Sequence, residues 1–236
     1  MSKLVRTSRV STKDIAYKEL REKIVKCILE PGQPIVEDEL AKELKISRTP
    51  LRESLQRLEL EGLISRGING RMKVAPISIQ EVKEIFLIRS NLEGIVIENA
   101  IDHITEKEIE HLAHLVEILK LTVSLKNFEK IDDFGSQFHE YIYKVSRNRI
   151  AVKFLSQLNS LITRYRRLAH QCIIDTKNSV DEHEVILNYI IKKDKVNAVA
   201  EMRKHILGSM NQAIKTVEKY NCVRPDQVMS TKQKWG

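Results

Sequence analysis

Apolar residues return at helical spacing along most of this chain. Between residues 79 and 220 they recur every three or four positions, as in a helix with one buried face. The groups with this spacing are Ile85, Ile88 and Leu92; Leu112, Leu115 and Leu119; Phe134, Phe138 and Ile142; Leu155, Leu158 and Ile162; Ile186 and Ile190; and Met202, Ile206 and Met210. Polar stretches such as "DHITEK", "DTKNS" and "KKDK" separate the groups. This pattern predicts about six or seven helices in an antiparallel bundle.

The N-terminal segment differs because it contains most of the turn-forming residues. Its first helix is predicted over residues 11–29, with an apolar stripe of Ala16, Leu20, Ile24 and Ile28. The following "EPGQP" should end this helix, with Gly32 as its C-terminal cap, since proline cannot continue a helix.

Two short helices are predicted next. One covers residues 37–44, and the other begins after Ser47, a favourable N-cap, with Pro50 in its first turn. One face of the later helix carries Leu51, Leu55 and Leu58. The adjoining face carries Arg48, Thr49, Arg52 and Gln56. Two short helices with a tight connection, the second opening on a basic and hydroxyl face, predict a helix-turn-helix.

A two-stranded hairpin is expected after the helix-turn-helix. The segments "EGLI" and "MKVAP" flank "RGINGR", where Gly67, Asn69 and Gly70 are expected to supply positive φ angles. Such a hairpin would be the wing of a winged helix. The chain therefore reads as mainly α, with a winged helix-turn-helix over residues 1–76, a helical domain over 77–222 and a flexible tail over 223–236.

The positive net charge of the chain indicates a polyanionic partner. The formal net charge is +8, and residues 1–76 hold 16 Lys and Arg against 11 Asp and Glu. An arginine-rich helix face is often only solvated. Here the arginines lie in the first turns of the third helix, where side chains reach base edges in the major groove, and arginine suits guanine.

Neither disulfides nor a membrane anchor are indicated. Cys27, Cys172 and Cys222 are odd in number and far apart, which favours a reducing compartment. The N-terminus has no apolar signal core, and no apolar run approaches the ~20 residues that cross a bilayer. We expect a cytoplasmic protein.

The N-terminal segments resemble the winged-helix domain of the GntR family of bacterial transcription regulators. The similarity covers about 60 residues, including "PGQPIVEDELAKEL" and "SRTPLRESLQRLELEGL". It implies that Ser47, Arg48, Thr49 and Arg52 contact DNA from the recognition helix. It also implies that Asn69 and Gly70 approach the minor groove or the phosphates. A homodimer on a two-fold-symmetric operator is expected, as in the family.

The helical segment resembles the FCD type of effector domain. The stretches that carry this resemblance are "EIFLIRSNLEGIVIENA", "DDFGSQFHEYIYKVSRNRI", "DEHEVILNYI" and "AVAEMRKHI". It implies that His139, His183 and His205 project into one bundle interior and bind a divalent metal such as Zn²⁺ or Ni²⁺. The metal-binding members usually have an aspartate where this chain has Gly135, so Asp132 is a distant substitute. Three unrelated core histidines are the structural alternative.

The effector is expected to be a small organic acid. Arg89 is the first candidate to bind it, because a guanidinium suits a carboxylate, with Asn148, Arg164 and Arg167 as further candidates. The alternative for Arg89 is an ordinary surface pair with Glu93.

The chain is predicted to be a sequence-specific transcription regulator, with a repressor expected. Two other functions stay open at this point. One is a metal-dependent hydrolase acting on a small acid, although no HExxH motif, nucleophile elbow or P-loop occurs. The other is a non-specific nucleic-acid-binding protein.

Overall fold

The computed structural model describes residues 11–125, 128–171 and 179–223. The first ten residues, most of "DTKNS" and residues 224–236 of the predicted tail lie outside these ranges. Within them the helices are α1 Thr12–Val25, α2 Glu37–Glu43, α3 Arg48–Leu60, α4 Ile79–His103, α5 Glu106–Ser124, α6 Phe128–Ser146, α7 Arg149–Gln171, α8 Ser179–Ile191 and α9 Lys195–Val223. The strands are β1 Ile64–Arg66 and β2 Met72–Val74. The mainly α architecture is confirmed.

The chain divides into two compact units between Ile77 and Ser78. In the first unit, α1 packs against α3. The side chains at the centre of this contact are at most 1% exposed, namely Leu20, Ile24, Leu51, Leu55 and Leu58. Strands β1 and β2 pair antiparallel, with Ile64 opposite Val74. This is the predicted winged helix-turn-helix.

Helix α1 ends earlier than predicted. Cys27 takes a left-handed conformation with a φ of 56°, and the backbone N–H groups of Ile28 and Leu29 both donate to the carbonyl of Lys23. Ile28 is consequently 64% exposed, so it does not continue the apolar stripe. Gly32 is not the helix cap: its own positive φ serves a later turn, where its N–H donates to Val74. The prediction was wrong because a cysteine occupies the left-handed position that glycine usually takes.

The turn of the wing also differs in detail from the prediction. Only Gly70, with a φ of 74°, has the positive φ that was expected at three positions. Asn69 acts through its side chain instead, since its Oδ1 accepts a hydrogen bond of 3.1 Å from the backbone N–H of Arg71. The carbonyl of Gly70 accepts from Arg66, which closes the turn from the other side.

The second unit is built around α4, which packs against α9, α6 and α7. The helix begins after Ser78, whose hydroxyl accepts a hydrogen bond from the backbone N–H of Glu81. Gly94 permits the close approach of α9. A Cβ at this position would lie 3.0 Å from the Nε of Arg203 and 3.3 Å from a methyl group of Val199.

The inward face of α4 is not the one that its apolar spacing predicts. Ile85 is buried, but Ile88 is 53% exposed and Leu92 is only half-buried. Arg89 and Glu93 are buried in their place, at 4% and 0% exposure. A charged pair therefore occupies the interior of the unit while aliphatic side chains face outward.

Candidate metal centre and DNA-reading face

Three histidines from three helices meet inside the second unit. His139 lies on α6, His183 on α8 and His205 on α9, and each is at most 4% exposed. One ring nitrogen from each lies within 4.8 Å of the other two. The Nε2 atoms of His139 and His205 are 3.3 Å apart. The structure thus brings together three residues that are separated in the sequence by more than 20 positions.

Carboxylates contact the outer nitrogens of two of these rings. The Nδ1 of His139 is 3.2 Å from Oε2 of Glu93, and the Nδ1 of His205 is 2.7 Å from Oε2 of Glu182. These contacts fix the orientation of each ring and leave its Nε2 pointing toward the other histidines. The edge of the Phe138 ring packs on His183 with the centroids 5.0 Å apart.

Burial disfavours the protonated form of two of these histidines, His139 and His205. Burial lowers the pKa of His139, although Glu93 opposes this effect, and burial with His139 and Arg89 holds the pKa of His205 well below its usual value. Burial alone would raise the pKa of Glu93, but His139 and Arg89 lower it to about 2. A neutral imidazole offers a nitrogen lone pair, which is the form that binds a metal.

The buried Arg89 and the half-buried Arg166 lie beside the histidines. The Nε of Arg89 donates to Oε1 of Glu93 at 3.1 Å, and the hydroxyl of Tyr143 donates to the same oxygen. The Nη1 of Arg89 is buried and makes no hydrogen bond with any described residue. Arg166 donates from Nη1 to Oγ of Ser136 at 2.7 Å. Burial and the nearby Arg89 lower the pKa of Arg166, as expected for two cations in one interior.

The Arg89–Glu93 pair is accordingly an internal ion pair and not the ordinary surface pair considered as the alternative. Because both partners are buried, breaking this pair would leave an uncompensated charge inside the unit. The loss of stability would therefore be larger than for an exposed ion pair. The pair also reaches the histidines directly, through the contact of Glu93 with His139.

The other predicted ligand residues lie in different surroundings. Asn148 caps α7 with its Oδ1 and donates from Nδ2 to Asn99, so its side chain joins α7 to α4. Arg164 is 1% exposed on α7, and Arg167 on the same helix is half-buried. Asp132 is not in the histidine group and interacts electrostatically with Arg166.

The predicted DNA-reading residues form an exposed surface at the start of α3. Ser47, Arg48, Thr49, Arg52 and Gln56 are all exposed, as are Asn69 and Gly70 on the wing. Ser47 stands at the N-cap, but its hydroxyl makes no capping hydrogen bond.

Both arginines of this surface are paired with acids of α2. Arg48 Nη2 is 2.7 Å from Oδ1 of Asp38, and Arg52 Nε donates to Oε2 of Glu37 at 2.7 Å. The acids hold the two guanidinium groups at the exposed surface of the helix pair.

Four residues that contribute to the buried site were not predicted for it. Glu93 was considered only as a partner of Arg89, while Tyr143, Arg166 and Glu182 were not singled out. Glu182 directly precedes His183, which is a weak local signal. Arg166 is one of three arginines between residues 164 and 167, and the sequence does not distinguish the one that reaches the histidines.

A winged helix-turn-helix joined to a helical unit with a buried charged site defines a DNA-binding transcription regulator. Comparison with known families agrees with this class. The profile described as "Bacterial regulatory proteins, gntR family" matches residues 12–74, and that of the FCD domain matches residues 84–208. This chain belongs to the GntR family and carries an FCD domain.

Curated relatives support the assignment. The chain is 30% identical to the HTH-type transcriptional regulator YdhC of Bacillus subtilis over 196 residues, which are 83% of this chain and 86% of YdhC. It is 23% identical over 205 residues to the HTH-type transcriptional repressor RspR of Escherichia coli, covering 87% and 90% of the two chains. The gluconate operon transcriptional repressor of Bacillus subtilis is 25% identical over 199 residues, covering 81% and 80%.

The fold has solved counterparts as well. Escherichia coli McbR/YncC aligns with a TM-score of 0.70 at 23% identity and covers 90% of this chain and 99% of its own. The domains and relatives are those of transcription regulators, so the protein is a regulator and not an enzyme. Among the described helices, none combines the length and apolar character that a membrane span requires.

Proposed function

We propose that this regulator is a repressor that binds a specific operator as a homodimer and releases it when a small organic acid binds the second unit. The observation that carries this proposal is the meeting of three buried histidines with the buried Arg89 and the half-buried Arg166 in one interior. Such a site suits a metal ion and an anion together. Two relatives are named as transcriptional repressors, which supports the assignment as a repressor.

The histidine group fits a divalent metal. Two imidazole nitrogens bound to one tetrahedral ion at 2.0–2.1 Å are about 3.3 Å apart. The Nε2 atoms of His139 and His205 already have this separation. We therefore infer that His139, His183 and His205 hold Zn²⁺ or Ni²⁺, with Glu93 and Glu182 orienting the rings. The bound ion would supply a Lewis-acidic position for an anionic oxygen.

The arginines supply the charge that an acid requires. Arg166 interacts electrostatically with Arg89, and the acids that interact with these two arginines include Glu93 and Asp132. Glu93 is shared with His139 and Tyr143. An organic acid would add negative charge to this interior and meet a guanidinium whose Nη1 makes no hydrogen bond within the described chain.

We propose that the exposed face of α3 reads the operator. The residues assigned to the major groove are Ser47, Arg48, Thr49, Arg52 and Gln56. Their support is their exposure on one end of the recognition helix, together with the match of this segment to the GntR family. Asn69 and Gly70 at the tip of the wing are assigned to the minor groove or the phosphates.

The homodimer is supported by an apolar surface on α4 and α7. Asn148 bonds Asn99 at one end of this helix pair, and Tyr165 bonds Glu81 at the other, so the helices run antiparallel. Their outward faces carry large exposed aliphatic and aromatic side chains, namely Ile88, Ile95, Ile150 and Phe154. We infer that a second copy of the chain covers this surface, because an exposed apolar stripe of this length favours association.

Mechanistically, the acid would favour one arrangement of the two helical units in the dimer. The spacing of the two recognition helices follows from that arrangement, and half-site spacing determines operator affinity. This requires the acid to bind the two arrangements with different affinity.

The proposal is tested with an operator duplex selected from a random DNA pool by the wild-type protein. Operator affinity is measured with and without Zn²⁺ or Ni²⁺ and with acetate, glycolate or malonate. We expect an acid to weaken operator binding only when metal is present. The triple variant with His139, His183 and His205 replaced by alanine should lose stoichiometric metal by elemental analysis and lose the response to the acid.

A variant with three exposed histidines of the same unit replaced by alanine, His103, His111 and His114, is the matched control. It should keep both the metal and the response. Equal metal content in the two variants would end the metal assignment. If random duplex in ~10³-fold excess abolishes operator binding, the protein is instead a non-specific nucleic-acid-binding protein.

A further inference from the structure

The turn at the tip of the wing is held in one geometry. The backbone N–H of Gly70 donates to the carbonyl of Gly67, and the N–H of Gly67 donates to the carbonyl of Arg71, each at 2.9 Å. Ile68 and Asn69 are therefore the two central residues of a β-turn. Behind the turn, β2 pairs with β1 on one edge and with the segment between α1 and α2 on the other. The hairpin is thus a firm support for the side chains at its tip.

An isoleucine occupies the most exposed point of this turn. Small and polar residues predominate at the centre of such turns, so the turn itself does not require an aliphatic side chain. The side chain of Ile68 is fully exposed, and the fold removes none of its apolar surface from water. Branching at Cβ restricts its rotamers, which makes it a stiff projection. Ile68 therefore contributes nothing to the packing of its unit and is shaped for insertion into a partner.

The charges around Ile68 indicate that this partner is a polyanion. From the start of β1 to the end of β2 the chain contains Arg66, Arg71 and Lys73 and no acid. Arg66 is paired with Glu59 of α3. Arg71 is exposed and makes no ion pair with any other residue that the structure describes. An apolar tip on a basic hairpin suits DNA better than it suits an apolar protein surface.

The minor groove has the dimensions and the mechanics for such a contact. It is about 6 Å wide and about 7.5 Å deep, which admits the end of a two-residue turn but no helix. Apolar side chains that enter it part neighbouring base pairs and bend the duplex toward the major groove. The energetic cost is lowest at flexible pyrimidine–purine steps. Insertion of one isoleucine would therefore select a base step without any hydrogen bond to a base.

We propose that Ile68 is an apolar wedge, which enters the minor groove beside the bases read by α3, parts a pyrimidine–purine step and bends the operator there. This rests on the proposed operator binding and adds to it a contact that reads the deformability of the duplex. Asn69 and the arginines of the hairpin would hold the phosphates on either side of the parted step.

The test uses full-length protein and the operator selected by the wild type, with 2-aminopurine placed at one adenine at a time. This base fluoresces more strongly when it loses its stacking. Wild type should raise the fluorescence at one step in each half-site and bend the duplex in circularly permuted fragments. Ile68→Ala should bind about tenfold more weakly, bend the operator less and leave the fluorescence low. Its salt slope should equal that of the wild type, because no phosphate contact is lost.

Two further variants serve as controls. Ile68→Leu keeps the volume and the apolar character of the wedge, so the bend and the rise in fluorescence should persist. Leu60→Ala removes another strongly exposed aliphatic side chain of the same unit. Leu60 stands between Glu59 and Glu61, where DNA would be repelled, so this variant should bind and bend the operator as the wild type does.

The outcomes separate this inference from the proposal beneath it. Wild type that selects no specific operator overturns the operator binding and this inference with it. Equal bend and equal fluorescence in wild type and Ile68→Ala overturn the inference alone, whatever the affinity. A lower mass of Ile68→Ala by light scattering overturns it as well, since Ile68 would then contact a second copy of the chain. Because Ile68 is fully exposed, the alanine variant should fold, which thermal unfolding checks.

Discussion

At the scale of single residues, Arg52 gives the most direct test of the proposed DNA-reading face. It is exposed in the second turn of α3, and its Nε is fixed by Glu37. Replacing Arg52 with alanine should weaken binding to the selected operator by about 1–3 kcal/mol, because one base-contacting guanidinium is removed. Fluorescence anisotropy at fixed salt measures this change.

Arg57→Ala is the matched control for that experiment. It removes the same charge from the same helix, but the Arg57 guanidinium stacks on Tyr17 of α1 at 3.6 Å from the ring centroid. We expect its effect on operator affinity to be small. Equal losses in both variants, or no loss in Arg52→Ala, would contradict the assignment of Arg52 to the bases.

The buried site was only partly predictable at this scale. The three histidines follow from the resemblance, and Arg89 from its charge and place in the helix. Glu93, however, meets His139 across 46 sequence positions, and His205 meets Glu182 across 23. Such contacts depend on the packing of α4, α6, α8 and α9, which no local spacing encodes.

At the scale of elements, α2 and α3 form an electrostatic pair as well as a packed one. Glu37 and Asp38 hold Arg52 and Arg48, so these cations are partly neutralised before DNA arrives. Exposed ion pairs of this kind stabilise a protein by no more than about 1 kcal/mol. Their main effect is therefore expected on DNA binding and not on folding.

Glu37→Gln should strengthen binding to random duplex and reduce the preference for the operator, because Arg52 becomes free to bind a phosphate. The slope of log affinity against log salt for random duplex should steepen by about 1. Titrations at several salt concentrations measure it.

Glu39→Gln is the control that separates the loss of the Glu37–Arg52 contact from the loss of one negative charge on α2. Glu39 lies on the same helix, is exposed and makes no contact with Arg52 in the structure. Its removal changes the net charge equally. If the two variants bind random duplex with the same salt slope, then the contact with Arg52 has no part in specificity.

Helix existence was predicted well at this scale, but helix faces and ends were predicted less well. The leucine face of α3 is buried as its spacing indicates. On α4 the spacing misleads, because apolar residues lie on two faces and only one of them can be internal. The end of α1 depends on the conformation of Cys27, which its amino-acid type does not favour.

At the scale of the whole molecule, the outward apolar face of α4 and α7 is the basis of the proposed dimer. Wild type should have twice the chain mass of 27.3 kDa by light scattering after size exclusion. Ile88→Lys with Phe154→Lys should give a folded monomer, since both side chains are already more than half exposed in the single chain. Operator affinity should fall strongly, because one recognition helix reads only half of a two-fold site.

Leu121→Lys with Leu125→Lys is a control of equal charge at the C-terminal end of α5, where Leu121 lies in the last turn and Leu125 is the C-cap, both exposed. It should remain a dimer. A dimeric Ile88 and Phe154 variant would place the interface elsewhere on the chain.

Helix α4 has a consequence for how this regulator can be altered by mutation. Its 25 residues carry the proposed association face on one side and, through Arg89 and Glu93, a wall of the histidine site on the other. Random mutagenesis followed by selection for repression that no acid relieves should therefore recover substitutions in this helix more often than in α5. The same helix would also limit how quickly the protein could acquire a new inducer, because many inward changes would disturb subunit pairing as well.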